Sequence, residues 1–156
     1  MKATYIDYGD TGSFSKTLLA YLANDENLKS FYNRSAELAN FAAQMEQKKD
    51  FSHRSLLTTQ LREQYGELLK GSPEVEKSIS LLANDNTYTV TTGHQLNIFT
   101  GPLYFIFKII TAIRLAKDLK EAYPESNFVP VYWMATEDHD FPEINHTRVF
   151  GKKIEW

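Results

Sequence analysis

Along the first half of the chain, apolar residues recur at steps of three and four, the spacing that gives a helix one buried stripe. Ser13 or Ser15 can cap a helix carrying Leu18, Leu19, Tyr21 and Leu22, and Asn24-Asp25 offers a second start before Leu28, Phe31 and Tyr32. Ala36, Leu38, Ala39, Phe41 and Ala42 continue the pattern. Ser52 precedes a further helix with Leu56, Leu57, Leu61, Tyr65, Leu68 and Leu69. Gly71-Ser72-Pro73 reads as a stop and restart with Pro73 in a first turn, and Val75, Ile79 and Leu82 then share a face. Residues 1–84 read as a helical N-terminal region with solvated charges and no catalytic constellation.

After Asn84-Asp85-Asn86 the period changes. Thr87 to Thr92 is a β-branched and aromatic run, a strand by propensity. A glycine turn at Gly93 follows, then a helix from Pro102 to Tyr123 with Leu103, Ile106, Phe107, Ile110 and Ile113 at helical spacing. Phe128 to Met134 is almost wholly apolar, as expected of a parallel strand buried on both faces. Thr147 to Phe150 can begin another strand. Strand, helix and strand form a βαβ unit, so residues 85–156 predict the start of an α/β, Rossmann-like core with a parallel sheet. One such unit leaves two open sheet edges. The helical half, a partner chain or further polypeptide can complete it, and the N-terminal piece of a longer protein is the favoured reading.

Composition narrows the function. The chain is 42% hydrophobic and 24% charged with a formal net charge of -3, which gives no basic footprint for nucleic acid. It has no cysteine, which excludes a disulfide framework and a cysteine nucleophile and suits a reducing, cytoplasmic setting. The longest apolar run, residues 103 to 113, is interrupted by Lys108 and is shorter than the roughly 20 residues a membrane helix needs.

Candidate chemistry collects in two loops, both placed beyond strand ends, where ligands bind in open α/β sheets. The first, Gly93-His94-Gln95-Leu96-Asn97-Ile98-Phe99-Thr100-Gly101, feeds a helix N-terminus suited to a phosphate or carboxylate. Gly93 and Gly101 would allow close backbone approach. It matches neither a P-loop nor a dinucleotide fingerprint, and a plain glycine turn is the competing explanation. The second runs from Glu137 through Asp138, His139 and Asp140, with Glu143, Asn145 and His146 behind. Adjacent carboxylates and imidazoles can move protons or hold a polar substrate, whereas capping of a following helix is the bland alternative. His94, His139 and His146 with an aspartate could also bind a metal, although their spacing fits no standard site and no metal is expected. His53 reads as a surface or capping residue.

These residues resemble one family in particular. Thr92-Gly93-His94-Gln95, Phe99-Thr100-Gly101-Pro102-Leu103-Tyr104, the helix with Lys108, Ile113, Leu115 and Ala116, Pro130-Val131-Tyr132-Trp133, and Glu137-Asp138-His139-Asp140 with Asn145-His146 are similar to the bacillithiol biosynthesis cysteine-adding enzymes. Phe14-Ser15-Lys16, Tyr21-Leu22 and Phe31-Tyr32 extend the likeness along nearly the whole chain.

The resemblance implies a bacterial ligase with a Rossmann-like, nucleotidyltransferase-type core, incomplete in these residues. The full-length family adds a coiled coil and forms a homodimer. It also implies joining of L-cysteine to glucosaminyl-malate through an activated carboxylate, with ATP or another nucleotide as a cofactor to expect. On that reading His139, Asp138 and Asp140 are the catalytic residues, with His139 the base. Gly93, His94, Gln95, Asn97, Thr100, Gly101, Glu137, Asn145 and His146 bind substrate or nucleotide. Two features depart from the pattern. The family commonly has glutamine at the position of His94, and the His-x-Gly-His signature of related cores is replaced by Phe99-Thr100-Gly101-Pro102. A non-catalytic binding fragment and a metal-dependent hydrolase using His94, His139 and His146 are the alternatives.

Overall fold

The computed structural model describes residues 2–97, 101–138 and 140–156. By packing, the chain divides into two compact units, Met1–Gln44 and Met45–Trp156.

In the first unit, helix α1 (Lys16–Leu22) starts where the Ser15 hydroxyl accepts the Leu18 N–H at 3.2 Å, the geometry that satisfies an otherwise orphaned donor. Asp25 caps a 3₁₀ turn over Glu26–Phe31 in the same way, accepting from Asn27 N at 2.9 Å. Helix α2 (Phe41–Lys48), which the division between the units cuts after Gln44, follows a further 3₁₀ turn, Leu38–Asn40. Edge-to-face pairs, Tyr8 with Phe14 and Tyr21 with Tyr32, supply much of the local packing.

After the end of α2, the second unit continues with α3 (Arg54–Tyr65) and α4 (Pro73–Leu81), the latter with Pro73 in its first turn as the pattern predicts. His53 occupies the N-cap position of α3 without a side-chain cap bond. The buried guanidinium of Arg54 donates to the carbonyl oxygens of Leu82, Asp85 and Thr87 at 3.1–3.2 Å. A planar five-donor group is well suited to gathering several carbonyls at once, and the effect is to tie the turn between α4 and the first strand to α3.

Strand β1 (Thr87–Gln95) pairs in parallel with β2 (Asn127–Ala135), in a register that sets Thr87 opposite Asn127 and Gln95 opposite Ala135. Helix α5 (Leu103–Ala122) connects them. A short helix α6 (Phe141–Ile144) leads to a separate antiparallel hairpin, β3 (His146–Val149) with β4 (Lys152–Glu155). Its two-residue turn places Phe150 at φ 49° and Gly151 at φ 77°, the positive-φ pair that a tightly twisted hairpin requires. Among the described residues no helix is long and apolar enough to cross a membrane.

Three expectations need correction. Gly93 is not a turn: β1 runs on to Gln95, and Gly93 lies in the strand opposite Trp133. A Cβ at Gly93 would stand 2.9 Å from the Trp133 carbonyl oxygen, so glycine is needed for the two strands to approach. Pro102 is the N-cap of α5, with extended ψ of 155°, and the first helical residue is Leu103. Lastly, β2 is not covered on both faces: Val129 is buried, while Trp133 and Met134 are exposed.

Helix α5 forms as predicted, but it turns Ala112, Ala116 and Leu119 to the core and leaves Leu103, Ile106, Phe107, Ile110 and Ile113 exposed. The small alanines let the helix lie close to the strands. The first half of the helix is therefore apolar on its exposed side, whereas its second half carries the charged Arg114, Lys117, Asp118, Lys120 and Glu121. Among the described residues the buried apolar core is thin, with Ile79, Leu82, Ala112, Ala116, Leu119 and Val129.

Candidate functional site

Because β1 and β2 are parallel and end in register, the loops that leave them emerge at one edge, the carboxyl end of the sheet. That edge is where open α/β sheets bind ligands. The two loops are built very differently.

The end of β1 is cross-linked by side chains. His94 Nε2 lies 2.9 Å from Tyr104 Oη on the first turn of α5. On the other side of the ring, Asn97 Nδ2 is 3.0 Å from His94 Nδ1 and donates to the Gln95 carbonyl at 2.9 Å. The Tyr132 hydroxyl of β2 donates to the His94 carbonyl at 3.1 Å. Burial pushes the Tyr132 phenol above its ordinary pKa, because the phenolate would lose hydration. Phe105 stands edge-on to both the His94 and Tyr132 rings. The half-buried Lys108, one turn below Tyr104, donates from Nζ to the Gly93 carbonyl. Gln95 is buried at the strand end.

Gly101 completes this arrangement. Its φ is 62°, and a Cβ there would stand 2.6 Å from Asn97 Cγ. Glycine is required both by its left-handed backbone and by the carboxamide seated against it. That carboxamide occupies the space beside Gly101 that any side chain there would need. Among the described residues, the groups suited to hold an anion are the Lys108 ammonium and the Leu103 and Tyr104 N–H groups, which at a helix start have no intrahelical carbonyl. Pro102 provides no side-chain cap for them.

The end of β2 is open. Glu137, Asp138 and Asp140 are all exposed. Among the described residues no side-chain hydrogen bond or ion pair holds their carboxylates, and only backbone bonds, Thr136 N to Met134 O and Asp138 N to Ala135 O, shape the turn. His139 and Thr100 lie outside the described residues. Asn145 and His146 are drawn toward the hairpin. Asn145 is buried, donates from Nδ2 to the Trp156 carbonyl and accepts the Trp156 N–H on its own carbonyl, and its Oδ1 lies 3.2 Å from His146 Nδ1. Among the described residues no group of three or more His, Asp or Glu side chains is placed to hold a metal.

The structure thus gathers Gly93, His94, Gln95, Asn97 and Gly101 into one lattice and sets Glu137, Asp138 and Asp140 beyond the neighbouring strand end. Tyr104, Lys108 and Tyr132 join that lattice although sequence reasoning did not single them out as site residues. The usable signal was the i, i+4 spacing of Tyr104 and Lys108 in the first turns of a helix that leaves a candidate loop.

The fold and its strand-end site define a Rossmann-like α/β domain. Residues 1–156 match the model of the family described as "Bacillithiol biosynthesis BshC, N-terminal Rossmann-like domain", and the chain belongs to that family. A protein of Christiangramia forsetii is 50% identical over 159 residues, covering 100% of the chain and 29% of its own length. One of Flavobacterium psychrophilum is 49% identical over 160 residues, covering 100% of the chain and 30% of its own length. One of Bacillus cytotoxicus is 35% identical over 136 residues, 85% of the chain and 24% of its own length. All three carry the name "Putative cysteine ligase BshC". The chain spans about 30% of the length of the two relatives it matches end to end.

Proposed function

We propose that this chain forms the N-terminal part of a ligase that joins L-cysteine to glucosaminyl-malate in bacillithiol biosynthesis. The observation that carries the reading is its family membership along all 156 residues, with relatives at up to 50% identity named as cysteine ligases. The anion-holding groups at the start of α5 support it, because an amide-forming site must hold an activated carboxylate.

In the proposed step, the sugar amine attacks the carbonyl carbon of a cysteine carboxylate activated as an acyl phosphate or acyl adenylate. The C–N bond forms, the C–O bond to phosphorus breaks, and the phosphate oxygen leaves with the electron pair. The proton lost by the nitrogen passes to His139, whose imidazole type titrates near neutrality and suits that role. Asp138 and Asp140 orient the ammonium or amine, and Glu137 extends the same acidic surface. Lys108 with the first N–H groups of α5 holds the anionic group, and His94, Gln95, Asn97 and Gly101 shape the wall beside it. Thr100, Asn145 and His146 are further binding residues of the same reading.

The test is conversion. The enzyme as its gene encodes it, given L-cysteine and glucosaminyl-malate with a nucleoside triphosphate, should yield the cysteinyl amide by mass spectrometry. Failure to form the amide under conditions where the protein is folded would overturn the assignment.

A further inference from the structure

Asn97 decides which nitrogen of His94 carries the hydrogen. Its Nδ2 lies 2.9 Å from the Gln95 carbonyl oxygen and 3.0 Å from His94 Nδ1. A primary amide has two N–H donors, so one serves each acceptor. Turning the amide over would set its oxygen against the Gln95 carbonyl, acceptor facing acceptor. The amide orientation is therefore determined, and Nδ1 accepts. One contact competes, since Nδ1 also lies 3.3 Å from the Gln95 oxygen, to which an Nδ1–H could donate. That bond would be the longer one and would press an Nδ1–H against an Asn97 N–H, donor on donor. The shorter pair prevails.

With Nδ1 accepting, the imidazole hydrogen resides on Nε2, which donates to Tyr104 Oη at 2.9 Å. The phenol then turns its own hydrogen away from His94. Tyr104 is half-exposed on the first turn of α5, so that hydrogen is accessible to solvent or to a ligand. A chain of bonds polarises each member in the same sense and strengthens the terminal donor. Two further observations show that the fold maintains this arrangement. Gly101 leaves room for the Asn97 side chain that any Cβ would displace. In addition, Asn97 Oδ1 is buried without a hydrogen-bond partner among the described residues, a cost accepted for the sake of the amide's orientation.

We infer that Asn97 is a positioning residue that holds His94 as its Nε2–H tautomer, making the Tyr104 hydroxyl a standing hydrogen-bond donor to an anionic or carbonyl oxygen of the ligand. The inference rests on the proposed ligase site, and it assigns that site a donor and the two residues that aim it.

Imidazole nitrogen–proton correlation spectra of the chain labelled with [15N]histidine test it directly. His94 is identified by the signals that vanish in His94→Gln. In the neutral wild-type ring, Nδ1 should resonate as an unprotonated nitrogen and Nε2 as the protonated one. Asn97→Asp replaces a donor by an acceptor and should reverse the pattern, while Asn97→Ala should give a mixture of tautomers. An Nδ1–H ring in the wild type overturns the inference, and that spectrum decides even where a variant fails to fold. Tyr104→Phe, in the enzyme as its gene encodes it, should keep the His94 tautomer and lower kcat/KM roughly 10- to 100-fold. An unchanged kcat/KM removes Tyr104 from the site. The spectra need no substrate, so a wild-type enzyme that forms no amide would defeat the ligase reading while leaving the tautomer result intact.

Discussion

The ends of β1 and β2 lie side by side in one parallel register, yet one is a bonded lattice and the other an open acidic turn. At β1, the side chains of His94, Asn97, Tyr104, Lys108 and Tyr132 are tied to each other or to backbone carbonyls. At β2, the carboxylates of Glu137, Asp138 and Asp140 face solvent with no such bonds among the described residues. The difference separates two requirements of a site. A wall that aims donors must be rigid, and its residues are coupled to the fold. Groups that exchange protons with a substrate need access and must be free of internal partners.

This contrast gives opposite signatures for substitutions. The largest effect is expected on the open side: Asp138→Asn should lower turnover on the order of 100-fold and leave thermal stability unchanged within about 0.5 kcal/mol. A parallel loss of melting temperature would mean that Asp138 is tied into the fold after all. On the bonded side, Gly101→Ala should destabilise by about 1–3 kcal/mol, through its positive φ and the displaced Asn97. Denaturant unfolding checks this, and a neutral result would show that the Asn97 seat is not maintained. Gly93→Ala should cost about 1–3 kcal/mol, by pressing on the Trp133 carbonyl across the sheet.

The smallest effect lies outside both loops. Arg62 on α3 holds the Glu76 carboxyl of α4 below its ordinary range through paired hydrogen bonds, helped by Ser80. A carboxyl with a depressed folded pKa contributes stability that is present above its unfolded pKa and is lost as pH falls through the folded value. The two side chains remain largely accessible to solvent at 42% and 40% exposure, so the contribution is small. Glu76→Gln should flatten only the acid limb of a stability–pH profile, below the usual glutamate range. A change near neutral pH would contradict the assignment.

The elements themselves were legible in the chain. The long helix ending near Tyr123, the two strands around Thr87 and Phe128, and capping by Ser13 or Ser15 and by Asn24-Asp25 all follow from period and capping chemistry, which are local properties. What failed was non-local. Gly93 looks like a turn residue until β2 lies opposite it, because only the neighbouring strand shows that the missing Cβ is needed for contact with Trp133. The apolar spacing of Leu103, Ile106, Phe107, Ile110 and Ile113 marks a helix correctly, yet Ala112 and Ala116 are the residues that reach the core. Where a helix carries apolar residues on more than one side, as the first half of α5 does, periodicity alone does not reveal which side meets the sheet.

The site was legible to a similar extent. Loops rich in glycine, histidine and carboxylate were evident, and the parallel register brings both to one edge. Tyr104, Lys108 and Tyr132 were not evident as partners, because their roles depend on where a helix start and a neighbouring strand place a hydroxyl or an ammonium. Asn145 and His146 show the converse, being polar residues near the acidic loop whose described bonds serve the hairpin.

The central claim is that this chain carries the proton-transferring end of a cysteine ligase, with His139 as its base. The most direct measurement compares amide formation from L-cysteine and glucosaminyl-malate by wild type and His139→Ala, each in the enzyme as its gene encodes it and each shown to be folded. The account predicts steady product from the wild type and none above background from the variant. Wild-type turnover by His139→Ala would contradict it.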